Sequence, residues 1–141
     1  MAKHLLVPLD GSSGGDAALE YVFEEFPDAR VTLYHVINPA RAGFSAQAAL
    51  PSFSEEWYEE ERSSAEALFE AARERAPETM EVETAMEVGR PSRAIVEYTE
   101  THDVDGVVMG SHGREGVARV LLGSVAETVV RRSPVPVTVV R

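Results

Sequence analysis

The residues with most capacity for chemistry are three glycines and a serine, Gly110, Gly113, Gly123 and Ser124, in the spacing G-x2-G-x9-G-S. They follow a short apolar run, Gly106-Val107-Val108-Met109, that reads as a strand. They lead into an amphipathic run, Val125 to Arg132, that reads as a helix. A glycine loop after a parallel strand can turn its backbone N–H groups inward and hold phosphate oxygens. A Cβ at Gly110 or Gly113 would obstruct that approach, or the positive-φ conformations the loop can require. Ser124 offers a hydroxyl and a backbone N–H at the positive end of the helix. Loop and helix start can therefore share one polyphosphate. An ordinary tight loop is the alternative, because glycines cluster in turns.

Other side chains can join such a site. Asp10 ends the first strand-like run, where a carboxylate can contact a ribose or a phosphate-bound Mg²⁺, or simply cap a turn. A bare carboxylate beside phosphates repels them, so a metal or an arginine is needed. Arg114, next to the loop and always charged, is the phosphate-contact candidate; Arg119 is a weaker one. His112 lies inside the loop and reads best as a solvent-facing histidine. His35 reads as a strand histidine, and His4 and His102 carry no signal. No group of residues has metal-ligand spacing. The sequence contains neither Gly-Lys-Ser/Thr nor G-x-G-x-x-G.

The elements that must position these residues alternate in type. His4 to Leu9 is a short apolar run, and Asp10 to Gly15 is turn chemistry with Ser12 or Ser13 as helix cap. Ala17 to Phe26 is helical, and Arg30 to Ile37 is β-branched and aromatic. Asn38 to Pro51 is a long Ala-rich connection carrying Arg41, Phe44 and Gln47. Phe53 to Ala76 is a Glu-rich helix with Trp57, Tyr58, Ala65, Leu68, Phe69 and Ala72 on its apolar face. Met80 to Val88 alternates apolar residues with glutamates, as a half-exposed edge strand does. A helix from Ser92 to His102, a strand from Val104 to Met109 and a strand from Val135 to Val140 complete the chain. The expectation is one α/β domain over residues 1–141, a doubly wound, parallel five-stranded sheet of strand order 3-2-1-4-5. In that order the chain reverses between strands one and four, which brings Asp10 and the glycine loop together where open α/β sheets bind ligands.

Composition removes several function classes. The 141 residues contain no cysteine, hence no disulfide, thiolate metal site or cysteine nucleophile. No apolar stretch approaches the roughly 18 residues of a membrane span, and the N-terminus lacks a signal pattern, so a cytoplasmic protein is expected. A net charge of −11 argues against nucleic acid and anionic membranes as partners. Of 13 lysines and arginines only Lys3 is a lysine. That balance fits a salt-adapted protein or a GC-rich genome.

The pattern at Gly110, Gly113, Gly123 and Ser124, followed by Val125, resembles the nucleotide-binding signature of the universal stress protein family in its ATP-binding branch. The resemblance spans the chain: LLVPLDGS, Tyr34-His35-Val36-Ile37, Gly89-Arg90-Pro91 with Ile95, and Ser133 to Val139 are similar to family segments. It implies a Rossmann-like, adenine nucleotide alpha hydrolase-like fold. It implies that Pro8, Asp10 and Val36 lie near the adenosine, Val36 through its backbone, and that Met109, Gly110, Gly113, Gly123, Ser124 and Val125 line ribose and phosphates. The expected ligand is ATP, or AMP or ADP, with Mg²⁺ at Asp10. The family's last strand pairs across a two-fold axis, which implies a homodimer through Pro136 to Val140. The expected role is nucleotide-dependent regulation under stress. A slow ATPase or a phosphoryl or nucleotidyl transferase on the same fold is the rival. Efficient turnover needs a positioned base and charge-neutralising groups, and only Asp10, His112 and Arg114 are candidates, which favours binding over catalysis.

Overall fold

The computed structural model describes residues 2–42, 51–111 and 122–141. Among these residues, five strands alternate with four α-helices: β1 (His4–Pro8), α1 (Ser13–Glu25), β2 (Arg30–Ile37), α2 (Pro51–Arg75), β3 (Glu81–Val88), α3 (Pro91–Thr101), β4 (Gly106–Gly110), α4 (Ser124–Arg132) and β5 (Val137–Val140). A 3-10 turn, Pro39–Ala42, opens the long connection after β2. Phe44 and Gln47 lie outside the described residues.

The strands form one parallel sheet in the order β3-β2-β1-β4-β5. β1 pairs with β2 from His4↔Arg30 to Pro8↔Tyr34. Its pairing with β4 is confined to Leu5↔Gly106 and Leu6↔Val107. Because side chains alternate along a strand, each face of the sheet carries its own core. Leu5, Val7, Val31, Leu33 and Val108 pack with α1 residues Ala18, Leu19 and Val22 and with α2 residues Ala65, Phe69 and Ala72. Leu6, Tyr34, Val107 and Met109 pack with Ala94, Ile95 and Val96 of α3 and with Ala126 and Val129 of α4. Burial on both faces explains why β1 and β4 read as unbroken apolar runs.

Several element ends differ from expectation, each for a local reason. α1 starts at Ser13, so Gly14 and Gly15 belong to its first turn rather than to the preceding loop. First-turn amides need no intrahelical partner, and glycine costs little there. Ser12 is the N-cap position but makes no side-chain capping bond. Its own N–H donates to Asp10 Oδ1 at 2.9 Å. β5 starts two residues later than expected because Pro136 has no N–H to give the ladder; its carbonyl still accepts from Val107 N–H at 2.9 Å. On β3, Val82 and Met86 reach the first core, while Thr84 and Val88 stay exposed. Tyr58 is 38% exposed, so it is not part of the buried face of α2. Among the described residues, no helix is long and apolar enough to cross a membrane.

Candidate functional site

In a parallel sheet all strands point the same way, so the carboxyl ends of β1, β2 and β4 share one rim. Pro8 closes β1 there, and the chain turns at once. Leu9 N–H still follows the ladder, donating to Tyr34 O at 2.8 Å. Asp10 is half-buried and holds the turn through its bond to Ser12, while Gly11 takes φ 84°, a conformation that favours glycine. The turn reading of Asp10 is therefore realised, and its carboxylate stands on the rim. On β2, Val36 is half-buried and packs on the α3/α4 side. His35 precedes it with a buried ring, 7% exposed, whose Nδ1 lies 2.7 Å from Leu9 O. A carbonyl only accepts, so Nδ1 carries the proton.

The β4 side of the rim is built by two close approaches. Gly110 ends β4 against the start of α1: a Cβ there would come within 2.6 Å of Gly14 Cα and Gly14 C. Real Cβ atoms do not approach backbone so closely, so this glycine is demanded by the protein's own packing, whatever else it admits. The second approach closes the glycine loop at its ends. Ser111 N–H donates to Val140 O at 2.9 Å, and Gly123 N–H donates to Ser111 O at 2.7 Å. Gly123 is the N-cap of α4, with φ −68° and ψ 164°, and makes no side-chain cap. The first backbone amides of α4, at Ser124, Val125 and Ala126, therefore open beside the end of β4, at the positive end of the helix. Ser124 is exposed, Val125 half-buried and Met109 buried beneath the rim.

Thus Pro8, Asp10 and Val36 stand on one side of the rim and Met109, Gly110, Gly123, Ser124 and Val125 on the other, linked by the contact of Gly110 with Gly14. Gly113, Arg114, His112 and Arg119 lie outside the described residues. Among the described residues, no group of three or more His, Asp or Glu side chains could hold a metal ion. Asp10 fits the way Mg²⁺ is commonly held on a nucleotide, through one or two carboxylates and the phosphates themselves. Amides at a helix N-terminus, a loop closed at its base and one carboxylate suit an anionic ligand.

Sequence reasoning missed two members of this region. Ser111 ties the loop base through its backbone, which no side-chain pattern announces. His35 was legible only as a histidine within a buried strand. His4, at the opposite end of the sheet, is also structural: its Nδ1 lies 2.9 Å from Asp103 O and its Nε2 lies 2.7 Å from Thr32 Oγ1.

The sequence matches the profile of the universal stress protein family over residues 1–141. It is 32% identical to universal stress protein MJ0577 of Methanocaldococcus jannaschii, with all of this chain and 96% of the relative aligned. The solved MJ0577 structure superposes with a TM-score of 0.86 at 31% identity, covering 99% of this chain and 96% of that one. Two more distant structures share the fold. One is a universal stress protein in complex with cAMP, 23% identical, with a TM-score of 0.64 and coverage of 99% and 97%. The other is an Arabidopsis thaliana family member with AMP bound, 18% identical, with a TM-score of 0.70 and coverage of 98% and 90%. With the profile matching the whole sequence, and a relative 32% identical over all of it sharing the fold, the chain belongs to the universal stress protein family.

Proposed function

We propose that this protein binds an adenine nucleotide, ATP foremost, on the rim formed by β1, β2, β4 and the start of α4, and that the bound nucleotide regulates its association with partners. The observation that carries this reading is the bond from Gly123 N–H to Ser111 O. It holds the end of β4 beside the start of α4, so that the two ends of the glycine motif can serve the same phosphates. The AMP and cAMP complexes of two family members agree in ligand class.

In this reading Pro8, Asp10 and Val36 face the adenosine, Val36 offering its backbone as a polar edge to adenine. Met109, Gly110, Gly113, Gly123, Ser124 and Val125 line ribose and phosphates, Arg114 neutralises phosphate charge, and Asp10 supports Mg²⁺. Mg²⁺ would supply charge neutralisation between the phosphates and that carboxylate. Binding is favoured over turnover by the position of the only lysine. Lys3 precedes β1, whereas the rim lies at the carboxyl end of that strand. We further infer a homodimer through Pro136 to Val140, the open edge of the sheet.

The test is calorimetric titration of ATP with Mg²⁺ into the wild-type protein and Gly113→Arg, with nucleotide extracted from the purified protein identified by mass. The expected result is one ATP per chain in wild type and none in Gly113→Arg, with an unchanged circular dichroism spectrum. Equal affinity in the two proteins would remove the glycine loop from the site. Recovery of ADP or AMP from protein supplied with ATP would favour slow hydrolysis.

A further inference from the structure

We propose that His35 is a positioning residue for nucleotide binding, acting through its bond to the Leu9 carbonyl; this rests on the nucleotide reading of the rim. His35 does not face the ligand side. Its ring is buried, and alternation along β2 puts it on the face that Val31 and Leu33 share with α1 and α2, whereas its neighbour Val36 packs on the α3/α4 side. Its Nδ1–H reaches across to Leu9 O at 2.7 Å, and Leu9 is the residue immediately before Asp10. One side chain thus joins the backbone beside Val36 to the backbone beside Asp10, the two strand ends assigned to the adenosine.

The surroundings make that link specific. Leu9 is held on three sides. Its N–H donates to Tyr34 O at 2.8 Å, its carbonyl accepts from His35, and its side chain lies under the first turn of α1, where a Cβ on Gly15 would come within 3.2 Å of Leu9 Cδ2. The ladder between β1 and β2 ends at Pro8↔Tyr34, so the strand register alone does not fix Asp10. The imidazole bond extends the tie beyond the ladder, up to the peptide that leads into Asp10. From there the bond from Ser12 N–H to Asp10 Oδ1 orients the carboxylate. Loss of the imidazole donor leaves a buried carbonyl short of a partner and releases the turn to re-aim its carboxylate. A shift of that kind at a ligand-binding group costs affinity well beyond its effect on the fold.

Two amide variants test this with little difference in polarity or size. His35→Asn places an N–H at the position of Nδ1, and His35→Gln places it at the position of Nε2. Titration with ATP and Mg²⁺ should give His35→Asn an affinity close to wild type and His35→Gln about tenfold weaker binding. Urea unfolding, run in parallel, separates this from loss of structure, because a purely structural histidine would move the unfolding midpoint and leave affinity alone. Equal affinities for the two variants would overturn the proposal. Nitrogen NMR of wild type gives an arm that needs no nucleotide: His35 should carry its proton on Nδ1, and a proton on Nε2 alone would overturn the tie to Leu9. If wild type shows the Nδ1 proton but binds no adenine nucleotide, the rim reading fails and the positioning role falls with it.

Discussion

The two edges of the sheet are opposites. β3 spans eight residues and exposes Glu81, Glu83 and Glu87 along its length. Arg30 of β2 reaches over it, with Nε 3.3 Å from Glu81 Oε2 and Nη2 2.6 Å from Glu83 Oε1. β5 spans four residues, Val-Thr-Val-Val, all half-buried and uncharged. A strand edge is a template for another strand unless something blunts it. Charge blunts β3, whereas among the described residues the comparable device at β5 is Pro136, just ahead of the strand. The contrast teaches that one edge carries a row of charges in its own sequence and the other does not, which is the basis of the dimer proposed through β5.

The largest effect that would break this comparison is expected from Val137→Glu. A carboxylate placed in the paired strand should weaken self-association at least about tenfold, since an interfacial charge without a partner costs several kcal/mol. Light scattering against concentration reads the result, and an unaltered mass would mean that the copies meet elsewhere. Next in size is the converse change on the other edge. Replacing Glu81, Glu83 and Glu87 together by valine should create concentration-dependent aggregation where wild type shows none. A monodisperse triple variant would show that the glutamates are not what keeps β3 unpaired.

A smaller effect links the guarded edge to the core. Burial pushes the Tyr34 phenol up to about 12, with the Glu87 charge adding to the shift. The unfolded phenol ionises near 10, so the native protein keeps a proton that the unfolded chain has lost. Stability contributed by the neutral phenol is therefore full below about pH 10 and declines as pH rises toward about 12. Urea unfolding across that window should show the decline, and Glu87→Gln should make it smaller and end it at a lower pH. A flat profile would mean that Tyr34 ionises as it does in water. The smallest effect belongs to Arg30→Gln. The pairs with Glu81 and Glu83 are exposed, and Glu83 holds the guanidinium pKa above its ordinary value. Exposed pairs contribute little, because water and salt screen them. A larger loss in urea unfolding would reveal that Arg30 holds β3 in register.

The sheet was legible in the sequence because strand-like and helix-like runs alternate strictly, and right-handed crossovers leave few ways to arrange them. The rim was legible because topology brings Asp10 to Gly110 whatever the side chains do. What eluded reading depends on partners far apart in the chain. Gly110 stood out as a glycine, but its need for lacking a Cβ comes from Gly14, at the other end of the sequence. Ser12 has the right type and spacing for a cap, yet spacing cannot tell that its own amide goes to Asp10. Tyr58 falls on the apolar stripe of α2, yet it is 38% exposed, because burial depends on what the fold brings to that position and not on the stripe alone. His4 and His35 are fixed by carbonyls of other segments, Asp103 and Leu9, which no local pattern could supply.

The central place of β1 has a consequence for how the chain is made. On one side β1 pairs with β2, which is synthesised soon after it; on the other it pairs with β4, which begins at Gly106. A nascent chain that has reached Val88 holds β3, β2 and β1 in full, with β1 still lacking its second neighbour. Until β4 has been made, Leu5 and Leu6 have no strand on that side, and an unpaired strand edge in an incomplete fold is open to misassembly. The order of synthesis therefore makes the joining of β1 to β4 a late step, possible only after β2 and β3 have been made.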